Sequence, residues 1–278
     1  MNTRQPSIQH LSNRTIFRVT GSDAIRYING QVSQDASLAS HELAVYSIVA
    51  DFKGKVQGDL YLRLYNGELL IDTSESQRES LLIRLDKYLI ADDAEIEDIT
   101  DEFELYHIIG DEQQDLTVNA LANWNCDRYG VNGKDYLCGK TYLYDQTDSH
   151  ETWEAFRVSQ QIPNWDNELN LNLLPPEAGL EDRAISYTKG CYTGQEVISR
   201  MKSAGKTNRH LVKFRFEKEI AVPLELYCDP KAEGKVQATI TSSCKTNSND
   251  YIGLGFRARK SEAVNTFYDT EGNTYQVL

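Results

Sequence analysis

Apolar and polar residues alternate from Thr15 to Thr20 (TIFRVT), as in a half-buried strand, and Gly21 stops the run. Ser22 stands where an N-cap belongs and Gly30 where a helix can end, so DAIRYIN reads as a short helix. LAVYSIVA (43–50), VQGDLYLRLY (56–65) and the stretch 68–73 read as three consecutive strands. A turn, DFKGK, joins the first two, and Asn66-Gly67, a pair suited to a type I′ turn, joins the last two. Leu81, Leu82, Leu85, Tyr88 and Leu89 fall at helical spacing and predict a helix over 77–89. A strand at 105–109, a helix at 113–122, short strands and turns through 123–150 and a helix at 151–160 follow, the last carrying Trp153, Phe156 and Arg157. The polar stretch 164–176, with two prolines at its end, reads as a loop.

From Leu211 the pattern changes. LVKFRF, VPLELY, KVQATITSS, YIGLGFRAR and NTFYDTEGNTYQVL alternate between turn residues, which predicts five or six antiparallel strands in a small barrel or sandwich. The pattern thus predicts an α+β front part and an all-β end, with a boundary near residue 208.

Composition narrows the function classes. A chain of 278 residues makes two or three packed units the expectation, and 40% hydrophobic residues are enough to build their cores. The net charge of −13 disfavours nucleic acid or an anionic membrane as the main partner. No stretch approaches 18 apolar residues and the N-terminus lacks an apolar signal core, so a cytoplasmic protein is expected. Five cysteines, an odd number with no CxxC pair, fit free thiols in a reducing compartment and argue against a zinc or cluster site within one chain. Residues 91–115 hold eleven acidic side chains and no Lys or Arg; without an EF-hand pattern they read as a solvated acidic face.

One stretch asks for chemistry: KGCYTGQE, 189–196. Thr193 and Glu196 have the spacing of a capping box, which predicts a helix over 194–203 that Gly205 can end. Cys191 then lies two residues ahead of the cap, where the helix N-terminus and Lys189 favour a thiolate, and Gly190 allows a sharp turn or a close approach. A buried, inert cysteine is the commoner fate of a free thiol, and a Cys/His pair with His210 is a third arrangement. The segment 189–218 carries eight basic residues against Glu196 and Glu217, which suggests either an anionic ligand or balance for the acidic stretch.

KGCYTGQE resembles the signature of the YgfZ-type folate-binding proteins, relatives of the aminomethyltransferase (T-protein) of the glycine cleavage system. The resemblance runs through NGQVSQD (29–35), DFKGKVQGDLYL (51–62), RLDKYLIADDAEIED (84–98), RVSQQIP (157–163), LPPEAGLEDRAISYTKGCYTGQEVISR (174–200) and YIGLGFRAR (251–259). It implies a ring-like α+β fold around a central cavity. Two interleaved folate-binding subdomains would occupy 1–207, the inserted one about 41–110, and a C-terminal β-barrel 208–278.

It also implies a tetrahydrofolate or one-carbon derivative as cofactor and a role in maintaining iron–sulfur enzymes, including tRNA-modifying ones. The expected partners are those client enzymes, with no direct nucleic acid or membrane contact, and the protein is expected to be a monomer. Cys191 becomes the reactive thiol at the cavity mouth. Asp59 matches the hairpin aspartate that aminomethyltransferases need, which keeps a folate-dependent aminomethyl or one-carbon transferase as the alternative. Arg157, with its capacity for bidentate pairing, and Lys189, Gly190, Tyr192, Gln195 and Arg200 fall on the cofactor side, Gln195 and Glu196 chiefly orienting the loop. Two departures separate the chain from the transferases. Ser159 stands where they carry a glutamate, two positions after the arginine, and Gln161 stands where the family commonly has glycine. The basic 189–218 segment, on this reading, favours polyglutamyl over monoglutamyl folate.

Overall fold

The computed structural model describes residues 6–110, 114–205, 207–246 and 250–278. The order along the chain is β1 (Ile8–His10), β2 (Arg14–Thr20), α1 (Ala24–Gln31), β3 (Val45–Ala50), β4 (Val56–Tyr65), β5 (Glu68–Ser74), α2 (Arg78–Asp86), β6 (Glu95–Asp98), β7 (Phe103–Ile109), α3 (Gln114–Asn119), β8 (Ala122–Cys126), β9 (Gly133–Gly139), α4 (His150–Ser159), α5 (Glu181–Ala184), α6 (Gln195–Ala204), β10 (Arg209–Phe216), β11 (Leu224–Leu226), β12 (Ala238–Lys245), β13 (Tyr251–Ala258), β14 (Thr266–Tyr268) and β15 (Thr274–Val277). The class is α+β, with few helices and three antiparallel sheets.

The first sheet has the order β3-β4-β5-β2-β6 and grows out of the predicted meander. Asn66 and Gly67 both take positive φ (51° and 84°), the backbone a type I′ turn requires. In the preceding turn the Asp51 carboxylate accepts from the backbone N–H groups of Lys53 (2.8 Å) and Lys55 (2.9 Å). The second sheet, β1-β7-β9-β8, takes its first strand from before the meander and the rest from after it, so the chain leaves this sheet and returns to it.

The third sheet, β11-β12-β13-β10-β15-β14, closes into a barrel. Tyr227 and Tyr268, at its two edges, exchange backbone hydrogen bonds of 2.8 Å in each direction. Closing so small a barrel forces β12 close onto β13 at Gly255, where a Cβ would lie 2.0 Å from the Thr239 carbonyl oxygen and 2.7 Å from Ile240 Cα. Gly255→Ala is therefore expected to lower stability by about 1–3 kcal/mol, seen as a lower urea midpoint at unchanged slope. The largest apolar cluster draws Ile16 and Ile48 from the first sheet, Leu105 and Trp124 from the second, and Leu211 and Leu254 from the barrel, so all three share one interior.

The ends of α1 and α6 differ from the sequence expectation, and in both a distant contact decides. Helix α1 runs through Gly30 to Gln31 because the Lys189 ammonium donates to the Asn29, Val32 and Gln34 carbonyls at its end. Ser22 caps nothing there; its hydroxyl donates to Asp93 (2.7 Å). Helix α6 has no capping box. Its N-cap is Gly194 at φ 84°, Thr193 N–H donates to the Gly30 carbonyl, and Glu196 pairs with Arg200 (2.9 Å). Gly194 fits there because a Cβ would stand 2.4 Å from the Asp51 carbonyl oxygen. Gly205 ends the helix as expected, at φ 60°.

Helix α2 is shorter than its apolar spacing predicted, with Leu81 and Leu85 buried and Ile83 and Tyr88 exposed. The acidic stretch is a paired face. Asp92 meets Arg26, Glu97 meets Arg18 and Asp98 meets Arg78, each at 2.6 Å, and Glu104 meets Lys140 at 2.9 Å. Asp111, Glu112 and the expected helix start at Gln113 lie outside the described residues.

Candidate functional site

A cavity of about 640 Å³ opens between the first and second sheets. Arg14, Tyr46, Asp59 and Tyr61 wall it from β2, β3 and β4, Arg128 follows β8, Arg183 projects from α5, and α4 with residues 162–165 covers it. The barrel supplies none of the lining residues; it backs α4 instead, where Arg157 donates to Ser242 Oγ (2.7 Å).

Behind Arg14 and Arg128 lies a buried ion lattice. Arg128 donates to both oxygens of Asp135 (2.7–3.1 Å) and both of Asp72 (2.8 and 2.9 Å). Arg63 pairs with Asp72 and, at 3.2 Å, with Asp135, while Arg14 Nε donates to Asp72 (2.9 Å). Burial alone would raise Asp72 and Asp135, but the guanidinium groups outweigh it and hold both carboxyls below the ordinary carboxylate range. His107 Nδ1 lies 2.8 Å from Asp135, and burial lowers its affinity for a second proton. His107, Cys126 and Asp135 have the proximity of a metal site, their donor atoms within 4.8 Å of one another. Their chemistry opposes one: two guanidinium groups already hold Asp135, and burial pushes the Cys126 thiol well up, which keeps it protonated.

Above the lattice, the Tyr46 and Tyr61 ring centroids stand 4.8 Å apart. Arg128 lies 4.1 Å over the Tyr61 ring and Arg183 5.1 Å over that of Tyr46. Asp59 is 6% exposed. Tyr46 Oη donates to its Oδ2 (3.3 Å), and its Oδ1 has no partner. Burial raises the Asp59 carboxyl above the usual range, with Arg14 pulling the other way. Two other residues that line the cavity also carry a buried polar atom without a partner, Asn164 Oδ1 and Arg183 Nε. Each such atom costs about 1–3 kcal/mol when left dry.

The other residues marked by the sequence lie in two places. Arg157 borders the cavity, but its guanidinium is engaged from within the chain by Glu154, Glu168 (2.9 Å), the Ile162 carbonyl and Ser242. The partner carboxylate implied for it is thus supplied by α4 and the following loop. Ser159 Oγ donates back to the Phe156 carbonyl (2.7 Å) and does not reach the cavity. Gln161 adopts φ 59°, the left-handed backbone a glycine would take there, and its amide donates to the Leu211 carbonyl (2.9 Å).

No residue from 186 to 204 lines the cavity, so the structure does not bring Cys191 to its mouth. Cys191 is exposed on the loop that docks between the end of α1 and the 51–55 turn. Lys189 Nζ reaches three α1-end carbonyls at 2.6, 2.8 and 2.9 Å, and burial pulls its ammonium down to about 8. Gly190 needs no special backbone and a Cβ on it would meet nothing within 4 Å; Gly194 is the glycine this loop requires. Tyr192 is buried, its Oη without a partner, Gln195 Nε2 lies 3.5 Å from the Gly190 carbonyl, and Arg200 is exposed beside Glu196.

His210 bonds Thr207 and Glu262, not a thiol. The basic segment is likewise occupied elsewhere: Lys202 over the Tyr187 ring, Arg209 on Glu177, Lys213 on the Ser159 carbonyl and Lys218 on Glu271. Lys206 lies outside the described residues.

Two thiols, Cys191 and Cys228, are exposed, whereas Cys126 and Cys138 are buried. An alkylating reagent is expected to label only the exposed pair rapidly in the folded protein, and a single fast site is expected in Cys228→Ser. Absence of that site by mass mapping would show that Cys191 is shielded. Nothing in the sequence motifs singled out Arg128, Arg183 or Asn164. The one signal available was that LEDRAIS and the 164–176 loop lie within or beside the motif stretch.

No protein-family model matches the chain. In sequence it is similar to the tRNA-modifying protein YgfZ of Hamiltonella defensa, 28% identical over 229 residues, or 72% of this chain and 67% of that protein. It is 25% identical over 239 residues to an uncharacterized protein of Haemophilus influenzae, covering 84% and 82% of the two chains. It is also 25% identical over 227 residues to the tRNA-modifying protein YgfZ of Yersinia pestis, covering 72% and 68%. Its fold is that of the glycine cleavage system aminomethyltransferase T from Bartonella henselae, with a TM-score of 0.75 over 99% of this chain and 85% of that one at 13% identity.

Proposed function

We propose that this chain, a YgfZ-type relative of the glycine cleavage aminomethyltransferases, binds tetrahydrofolate or a one-carbon derivative in the cavity between its first two sheets. On this reading it is an accessory factor for iron–sulfur enzymes, including tRNA-modifying ones, and Cys191 is its reactive thiol. The observation that carries the reading is Asp59, a buried carboxylate on the wall of a cavity that the Tyr46 and Tyr61 rings also line. A pterin presents amino and ring N–H donors on a flat heterocycle, so the cavity residues fit it. Asp59 accepts from those donors, Tyr46 and Tyr61 supply flat apolar contact, and Arg128 and Arg183 lie over the two rings. When bound, tetrahydrofolate supplies nitrogen atoms that carry one-carbon units.

The exposed Cys191 faces outward, which favours action on a second protein rather than on the cavity's contents. Two functions on two surfaces predict separable defects. Calorimetric titration with tetrahydrofolate should give the same affinity for the native protein and Cys191→Ser. In cells lacking the protein, Cys191→Ser should fail to restore the activity of iron–sulfur tRNA-modifying enzymes. Absence of tetrahydrofolate binding by the native protein would remove the folate half of the reading; full complementation by Cys191→Ser would remove the thiol half.

A second reading, a folate-dependent aminomethyl or one-carbon transferase, draws on the same Asp59, whose raised carboxyl and bare oxygen suit a group that handles a proton. Ser159, bonded back to its own helix, offers no second carboxylate. Formation of methylene-tetrahydrofolate from an aminomethyl donor separates this reading from the first.

A further inference from the structure

Three segments far apart in the chain converge on the C-terminal end of α1. Lys189 donates to the Asn29, Val32 and Gln34 carbonyls and Thr193 N–H to that of Gly30, so Cys191 lies between two fastenings. Helix α2 reaches the same place: Arg84 donates to Gln31 Oε1 (3.0 Å) and reaches the Ala50 carbonyl (3.5 Å), just ahead of the 51–55 turn. That turn also touches the motif loop. Gly194 stands against the Asp51 carbonyl, and a Cβ on Gly54 would lie 3.1 Å from Val197. The exposed thiol therefore shares one face with the 51–55 turn and the end of α2.

Two aromatic rings stand out on this face. Phe52, the second residue of the Asp51–Gly54 turn, is 75% exposed, and Tyr88 is 46% exposed. Cations accompany both: Lys53 lies 5.6 Å over the Phe52 ring, and Arg84 and Lys87 lie 4.3 and 5.6 Å over that of Tyr88. Exposed aromatics beside arginine are the anchors of protein interfaces. Charge singles out the same face. Residues 51–55, 84–88 and 189–202 hold seven Lys or Arg against three carboxylates, in a chain whose net charge is −13. Two of those carboxylates are engaged within the face, Asp51 by backbone N–H groups of its turn and Glu196 by Arg200. A locally basic, aromatic face on an acidic protein complements an acidic partner. Apolar anchors fit a protein surface, whereas nucleic acid is held by rows of cations and is repelled by the rest of this chain.

Resting on the thiol half of the reading above, we propose that this face docks the protein on which Cys191 acts. Phe52 and Tyr88 anchor in apolar spots on that iron–sulfur enzyme, and Lys53, Arg84 and Lys87 meet Asp and Glu around them. Docking places the partner against the motif loop, which gives the thiol a defined target.

A photo-reactive p-benzoylphenylalanine at position 52, in cells where that variant is the only copy of the protein, tests the occupant. Light should join it to an iron–sulfur protein through a segment rich in Asp or Glu. Adding Lys53→Glu and Lys87→Glu should lower the adduct about tenfold or more, as expected for contacts at the centre of an interface. The same probe at Val118, 73% exposed on α3, should give no such adduct. Adducts only with RNA, with a second copy of this chain or with proteins that hold no iron–sulfur cluster overturn the proposal, as does a yield no greater than at Val118. Function gives an independent reading. In cells lacking the protein, Phe52→Asp and Lys87→Glu should each restore about tenfold less iron–sulfur tRNA-modifying activity than the native chain, at an unchanged urea midpoint. Val118→Asp should restore it fully. Full restoration by Phe52→Asp and Lys87→Glu, with Cys191→Ser still failing, overturns the docking face and leaves the thiol reading intact. Full restoration by Cys191→Ser overturns both.

Discussion

Arg128→Met is expected to lose about 3–5 kcal/mol of stability, the usual consequence of removing one partner from a buried ion lattice. No other single side chain in the lattice holds both carboxylates so completely. Arg128 gives both Asp72 and Asp135 paired contacts, and those two residues are 1% and 0% exposed. Without it Arg63 and Arg14 remain for Asp72, and Arg63 with His107 for Asp135.

The pH dependence gives a second handle. In the native protein both carboxyls are held low, so their contribution is present above the unfolded carboxylate pKa and is lost as the pH falls through the folded values. In Arg128→Met that contribution is reduced, so the deficit should be widest near neutral pH and narrow in acid. Urea midpoints of both proteins across the pH range check this, and a deficit independent of pH would mean that lost packing over Tyr61, not charge, is what the variant removes.

Asp59→Ala is expected to weaken tetrahydrofolate binding by about 10- to 150-fold, the range for a hydrogen bond to a charged group. Asp59→Asn, which keeps one acceptor oxygen and loses the charge, should fall between it and the native protein. Stability should move the other way. Burial raises the Asp59 carboxyl, so its contribution is present below the unfolded carboxylate pKa and lost as the pH rises through the folded value. At neutral pH burial of this carboxyl therefore opposes folding, and Asp59→Asn should be as stable as the native protein or more so, with the advantage vanishing in acid. Weaker binding together with undiminished stability is the signature of a residue kept for its ligand. If Asp59→Asn loses stability at neutral pH while binding is unchanged, Asp59 is structural.

Much of this protein was legible as sequence because much of it is local. Two-residue alternation located the meander and the barrel strands, Asn66-Gly67 announced its turn, and Gly205 ended α6. The long motif around Cys191 resembled one family, and similarity in sequence and fold agrees with it. Asp59 was marked the same way, because its hairpin context is contiguous in the chain. Helix ends were less legible: α1 ends where Lys189, 160 residues from Asn29, supplies three donors, and Thr193 loses its cap because Gly194 sits against Asp51.

What sequence by itself determined is therefore the α+β class, the strands and the family resemblance, all of which depend on neighbours along the chain. Only the tertiary structure decided that Cys191 faces solvent off the cavity, that Arg157 is already engaged, and that Arg183 and Asn164 line the same cavity as Asp59. The reason is that burial and hydrogen-bond satisfaction are set by groups brought together from β3, β4, α5 and the loop after α4. A polar atom becomes a recognition element only when every competing partner has been placed somewhere else.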